Sequence, residues 1–409
     1  MNAPKLRFPG FEGEWKALIL CQIAIKIGDG IHSTPSYSES GEYHFVNGNN
    51  LIDGKIVVKA DTKRLDEYEI KKYQTDYGQN TILLSINGTI GNIALYRREQ
   101  VLLGKSVSFI ALENFYVMKF IYFHLFSDRI QTYFISELTG STIQNLSLAA
   151  IRRTPISLPT LPEQQKIAEF LSSVDNVIQL LTKKKTLLEN YKKGIMQKIF
   201  SQEIRFKDDD GNDFPEWEEK RLGELGVSYT GLAGKSGDDF GMGSPYITYK
   251  QIFDNSRIDT NKFAYVQVDP GEKQNSAEYG DFFFTTSSET PQEVGYSSVL
   301  LDRVGLVYLN SFCFGFRLNS FKQFLPNYGR FLFKSNQFRE KVVLLAQGST
   351  RYNISKTEFM KIAILLPSLP EQQKIADFLS GIDRSIEIVN SQIEKAKEYK
   401  KGLLQQMFV

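Results

Sequence analysis

Along two segments of this 409-residue chain, apolar residues recur at alternating steps of four and three. The first segment places Ile167, Leu171, Val174, Ile178, Leu181, Lys185, Leu188, Lys192, Ile195 and Ile199 on one line. The second places Ile375, Leu379, Ile382, Ile386, Val389, Ile393, Ala396, Lys400, Leu403 and Met407 on another. A seam of this spacing, sustained over several heptads, predicts helices that pair as a coiled coil. Length supports that over an amphipathic helix lying on one globular core: roughly 39 residues at about 1.5 Å each reach nearly 60 Å. Lys192 and Lys400 interrupt the seam at the same position in both segments. A polar residue there fixes register and partner number at some cost in stability; alternatively its long stem carries the charge out to solvent or phosphate. The pattern leaves both readings open.

The two segments are copies. Leu158 to Phe200 returns at Leu366 to Phe408 with a constant offset of 208 residues, and 21 of the 43 positions are identical. Each copy opens with Leu-Pro-Glu-Gln-Gln. Proline suits the first helical turn, where its missing N–H costs nothing, and Glu163 or Glu371 complements the positive helix end. Upstream, Gly140-Ser141-Thr142 and Asn145-Leu146-Ser147 match Gly348-Ser349-Thr350 and Asn353-Ile354-Ser355. Phe123, Leu125 and Ser127 align with Phe331, Phe333 and Ser335. Residues 17–110 and 223–318 share little beyond short strand-like runs punctuated by Gly, Ser, Asn and Tyr.

A repeat of this length makes two half-molecules in tandem. The expected fold is α+β, with lobes of mixed strands and short helices at 1–157 and 204–365. Helical spacers follow each lobe, at 158–203 and 366–409. Because both helices carry the same seam, the second is expected to fold back antiparallel on the first, giving a pseudo-two-fold dumbbell.

Composition changes the picture little. A 42% hydrophobic and 23% charged chain is that of a soluble globular protein. Cys21 and Cys313 are its only cysteines, too few for a disulfide framework, so a reducing cytoplasm is expected. The N-terminus has no apolar signal core, and the apolar run Phe115 to Phe126 is too short to span a membrane. The net charge of +2 is small for a nucleic-acid binder. Any phosphate contact must come from a concentrated basic face or from partner subunits. Catalytic motifs are missing: Gly104-Lys105-Ser106 and Gly234-Lys235-Ser236 end like phosphate loops, but Glu99 and Tyr229 stand where the first glycine belongs. His32, His44 and His124 lack metal-ligand spacing. No catalytic and no metal residues are assigned.

Tandem copies of a Leu-Pro-Glu-Gln-Gln-Lys-Ile-Ala helix, each after a variable segment ending in Gly-Ser-Thr, resemble the specificity subunit of type I DNA restriction–modification enzymes. The doubled Leu161–Ala168 and Leu369–Ala376 segments carry this resemblance, which covers essentially the whole chain. It implies two target-recognition domains, each reading one half of a bipartite, asymmetric site in double-stranded DNA. It implies helices that set the spacer and dock two methylation subunits, with two restriction subunits joining the full complex. S-adenosylmethionine, ATP and magnesium would then belong to the partners, and no cofactor to this chain. A non-catalytic coiled-coil scaffold for proteins or carbohydrate is the alternative.

Base-edge readers are expected among polar residues on loops. In the first lobe the candidates are His32, Ser33, Thr34, Asn87, Thr89, Lys105 and Ser106. In the second they are Lys235, Tyr249, Lys250, Gln251, Ser287, Ser288, Asn310 and Arg351. Ser141, Thr142, Ser349 and Thr350 occur in both lobes, which suits phosphate or turn duty better than discrimination.

Overall fold

The computed structural model describes residues 3–73, 76–140 and 144–408. It divides into two compact units, Met1–Thr182 with Ser391–Val409, and Lys183–Asn390. Each unit therefore holds one lobe, the start of one long helix and the end of the other.

In the first unit, strands Ala24–Asp29, Val107–Leu112, Thr81–Ser85 and Ile93–Tyr96 form an antiparallel sheet in that order. Every residue of Thr81–Ser85 is buried, because both faces of the sheet are covered. Side chains alternate between the faces. Ile82 and Leu84 join Phe120 and Phe123 in one core, and Leu83 joins Val46, Leu103 and Phe109 in another. The second core lies under a smaller sheet in which Tyr43–Val46 runs parallel to Val101–Leu103.

The second unit repeats this plan. Gly226–Thr230, Cys313–Leu318, Phe282–Thr285 and Ser297–Val299 form the same four-strand order, and Phe240–Ile247 runs parallel to Tyr308–Leu309. Its core is more aromatic: Phe282 meets Phe333 edge-on with centroids 4.8 Å apart, and Phe284 lies 4.6 Å from Phe359. The correspondence reaches single hydrogen bonds. Ile86 N–H donates to Ser106 O as Thr286 N–H donates to Phe312 O, both at 2.9 Å. The Ser85 hydroxyl accepts from Asn92 N–H as the Thr285 hydroxyl accepts from Tyr296 N–H. The regions whose sequences share little thus share one backbone.

The long helices span Leu161–Phe200 and Leu369–Met407. In the first unit Ile167, Leu171 and Val174 share a core with Leu403, Leu404, Met407 and Phe408, so the start of one helix meets the end of the other. In the second unit Ile375, Leu379 and Ile382 share a core with Ile199 and Phe200. The pairing is antiparallel in both. Ile178 and Ile386 pack against the edges of these cores, Leu181 is half-buried and Val389 is buried.

The seam lysines form reciprocal ion pairs across the two helices. Lys192 pairs with Asp383, and Lys400 pairs with Asp175 at 2.6 Å. Both amines are largely covered, with Lys192 over the Phe331 ring and Lys400 over Phe123 and Phe126. Of the two readings open from the sequence, the geometry is that of a register device.

The Leu-Pro-Glu-Gln-Gln motif does more than complement a helix dipole. Glu163 is 1% exposed and accepts from Arg7 Nε at 2.7 Å, Arg7 Nη2 at 2.8 Å and the Trp15 indole at 3.3 Å. Glu371 is clamped the same way by Arg205, at 3.0 and 3.3 Å, and by Trp217 at 3.1 Å. The first glutamine ties back the entering chain: Gln164 donates to Pro159 O at 2.8 Å and Gln372 to Pro367 O at 2.9 Å. This explains why both halves open with Arg-Phe and a later Trp.

Candidate nucleic-acid interface

Antiparallel pairing sends alternate loops of a sheet to opposite ends. In the first lobe, Asp29, Val107, Ser85 and Ile93 all lie at one end of the four-stranded sheet. The loops that leave them carry most of the candidates there. Ile31 bridges Gly104, which places the His32–Thr34 loop beside Lys105. Asn87 bridges Asn145, at the segment following Gly140. The parallel strand ending at Val46 delivers Asn47 and Gly48 to the same end, where Gly48 N–H donates to Ser106 Oγ at 3.0 Å.

Within this cluster the side chains have different availability. His32 is 71% exposed and held by Asp29 at 2.7 Å, Ser33 hydrogen-bonds Tyr73, and Thr34, Thr89 and Lys105 are exposed. Asn87 is half-buried. Ser106 faces inward, donating to Asn47 Oδ1 at 2.9 Å, so it braces the loop instead of facing a ligand. Ser141 and Thr142 lie outside the described residues.

In the second lobe the same end of the sheet gathers Tyr249, Ser287, Ser288 and Arg351 around a cavity of about 410 Å³, completed by Phe253, Glu289, Glu293 and Phe312. Tyr249 donates to Ser287 O at 2.8 Å and stacks on Phe253 with centroids 5.9 Å apart. Burial raises the Tyr249 phenol above its ordinary pKa, so it remains a neutral donor at pH 7. Phe312 is 60% exposed at the rim. Arg351 is exposed, as are Ser349 and Thr350, on a hairpin in which Gln347 and Asn353 exchange backbone hydrogen bonds at 2.9 and 2.8 Å. Gly348 makes that hairpin possible: its φ is +132°, and a Cβ would stand 2.0 Å from Arg351 O. The glycine of Gly-Ser-Thr is therefore a backbone requirement.

Three candidates of this lobe serve the lobe itself. Gln251 is buried, donating to Lys262 O at 2.5 Å and accepting from Asp259 N–H at 3.2 Å. Lys235 has a 4% exposed side chain paired with Glu272 at 2.7 Å. Asn310 accepts from Phe312 N–H at 2.9 Å and shapes the turn that presents that ring. Lys250 is exposed but beside Asp254 at 2.7 Å. Sequence reasoning missed Asn47, Phe253, Glu289, Glu293 and Phe312. Phe312 shares the alternation of Phe314 and Phe316, which reads as core; the strand begins only at Cys313 and leaves this ring in the turn.

Among the described residues no three His, Cys, Asp or Glu side chains gather as a metal site would require, and no helix is long and apolar enough to cross a membrane.

The profile of the type I restriction modification DNA specificity domain matches twice, over residues 13–190 and 215–398. A Methanocaldococcus jannaschii protein assigned as the MjaX specificity subunit of a type I restriction enzyme is 27% identical, over 98% of this chain and 95% of its own. The crystal structure of the S subunit of a type I restriction–modification system from M. genitalium superposes with a TM-score of 0.57. It is 16% identical and covers 100% of this chain and 99% of its own. A chain solved for complex assembly and conformational transition of the type I R-M system gives the same TM-score at 14% identity, with 98% and 99% covered. At these identities the two structures speak for the fold.

Proposed function

The chain belongs to the type I restriction–modification DNA specificity family, and from that membership we propose that each lobe reads one half of a bipartite, asymmetric DNA site. The observation that carries this reading is the contrast at the loop-bearing sheet ends. The two lobes share their backbone down to single hydrogen bonds, yet present different side chains there: His32, Asn87, Thr89 and Lys105 in one, Tyr249, Phe312 and Arg351 in the other. A common frame with unlike contact surfaces suits two unlike half-sites. Loop donors and acceptors of these types match the hydrogen-bond code of the major groove. Ser106, Lys235, Gln251 and Asn310 hold the loops in shape, while Ser287, Ser288 and Lys250 border the reading surface.

The role of the chain is recognition, not catalysis. The long helices set the distance between half-sites and dock two methylation subunits, which methylate adenine at N6 with S-adenosylmethionine. Two restriction subunits complete the assembly and bring the requirement for ATP and magnesium. Partner lysines supply much of the phosphate neutralisation that a chain of net charge +2 does not.

The test is selection from a randomised DNA library by the chain assembled with its methylation subunit. Retention of one bipartite sequence is expected. Retention without sequence preference, or of protein or glycan ligands only, would favour the scaffold reading instead.

A further inference from the structure

In the second unit, the end of the first long helix and the helices of the lobe enclose a cavity of about 280 Å³ with an unusual lining. Lys192, Lys193, Arg330 and Lys334 face it, against a single carboxylate, Glu189. Two of these cations are already matched: Lys192 and Arg330 share Asp383, and Arg330 also donates to Ser256 Oγ at 2.8 Å. Lys193 and Lys334 have no ion-pair partner among the described residues. Lys334 is the telling one. It is partly buried, and burial together with Lys192, Arg330 and Arg339 draws its pKa down to about 8. The cavity also lies at the N-terminal end of the helix Asn336–Val343, whose dipole adds positive potential.

An unmatched, partly buried cation among like charges is costly unless something supplies the missing negative charge. The repeat provides an internal comparison. At the 208-residue offset Arg330, Lys334 and Asn336 become Tyr122, Phe126 and Asp128 in the first lobe. There the equivalent seam lysine, Lys400, rests on the Phe126 ring and is satisfied by Asp175. The second lobe replaces that ring by another cation and gives it no partner.

We propose that this pocket of the second unit is an oxyanion site of the phosphate class, absent from the first unit. Lys334 and Lys193 contact the anion directly, while Arg330, oriented by Asp383 and Ser256, lines the same cavity. The volume accommodates a phosphate group with several waters, each taking about 30 Å³. The anion is either a backbone phosphate of bound DNA or a free phosphate. The site itself does not depend on the DNA reading.

Thermal melting of the full chain in sodium phosphate, against sodium chloride at matched ionic strength and pH, tests it. Wild type should show a saturable rise in melting temperature with phosphate. Lys334→Phe, which installs the residue of the first lobe, should lose that rise. Lys193→Ala, an exposed change that spares the fold, should weaken phosphate about tenfold. Lys401→Ala, at the matching position of the first unit, should change nothing. For the assembled complex, the slope of log affinity against log salt on cognate DNA separates the sources. A slope smaller by about one in Lys334→Phe and Lys193→Ala identifies a DNA phosphate; loss of the phosphate response with an unchanged slope identifies a free anion. If the variants alter neither the phosphate response nor the slope, there is no such site.

Discussion

Replacing Arg7 by alanine strikes the motif that opens both long helices where it is most buried. Glu163 is 1% exposed and takes two short hydrogen bonds from the Arg7 guanidinium, at 2.7 and 2.8 Å. Without Arg7 the carboxylate keeps the longer 3.3 Å contact from Trp15 and little solvent. Stripping one partner from a buried ion pair costs about 3–5 kcal/mol, because the remaining charge is left uncompensated. Arg7 itself is 17% exposed, so water can reach part of the vacated space, which favours the lower end, about 3 kcal/mol. For a unit of this size each kcal/mol moves the midpoint by roughly 2–4 °C, so a loss of roughly 6–12 °C is expected by calorimetry. Replacing both partners by apolar residues, Arg7→Met with Glu163→Leu, should recover most of the loss, since no charge is then stranded. The double-mutant cycle should show a coupling of at least about 2 kcal/mol. An Arg7→Ala cost below about 1 kcal/mol, or strict additivity in the cycle, would refute the clamp. Arg205 and Glu371 should behave alike.

Other outcomes follow from the same geometry. Gly348→Ala forces a Cβ to within 2.0 Å of Arg351 O at a φ of +132°; a cost of about 1–3 kcal/mol and weakened binding at one half-site are expected by melting and DNA titration. Inserting one heptad into both long helices, after Lys184 and after Gln392, keeps the seam in register and lengthens each by about 10.5 Å. Mapping of methylated sites should then show unchanged half-sites with about three more base pairs between them; unchanged spacing would sink the ruler. Lys334, with its folded pKa drawn to about 8 and an ordinary value near 10.4 when unfolded, gives a pH signature. Between those values the unfolded chain holds more protons, so stability gains with rising pH. In phosphate-free chloride buffer, wild type should gain on Lys334→Phe between about pH 8 and pH 10, and a constant difference would contradict the burial of that charge.

The helices and their antiparallel pairing were legible because heptad spacing is a direct imprint of which face is buried. The clamp on Glu163 was half-legible: Arg7, Trp15 and their counterparts recur, but sequence order gives no hint that they converge 148 and 156 residues away. The common sheet was hidden because a backbone frame tolerates exchange of its fillers. Leu83 and Phe283 occupy the same inward position, and Ser85 and Thr285 make the same bond, without leaving a run of identities. The candidate loop residues were found as a class, since strand ends are where polar loops emerge. Their individual facing was not, because Ser106, Gln251 and Asn310 can satisfy either a ligand or their own backbone, and here they satisfy the backbone. Lys334 stood in an aromatic helical stretch with no mark of its lack of a counter-ion.

In the proposed function each lobe chooses one half of a divided DNA site. Methylome sequencing of cells carrying the assembled complex, before and after exchange of residues 1–157 for the lobe of another specificity subunit, tests it most directly. An asymmetric bipartite motif methylated at adenine is expected, in which the exchange rewrites one half and leaves the other half and the spacer intact. A contiguous motif, or an exchange that alters both halves together, would contradict it.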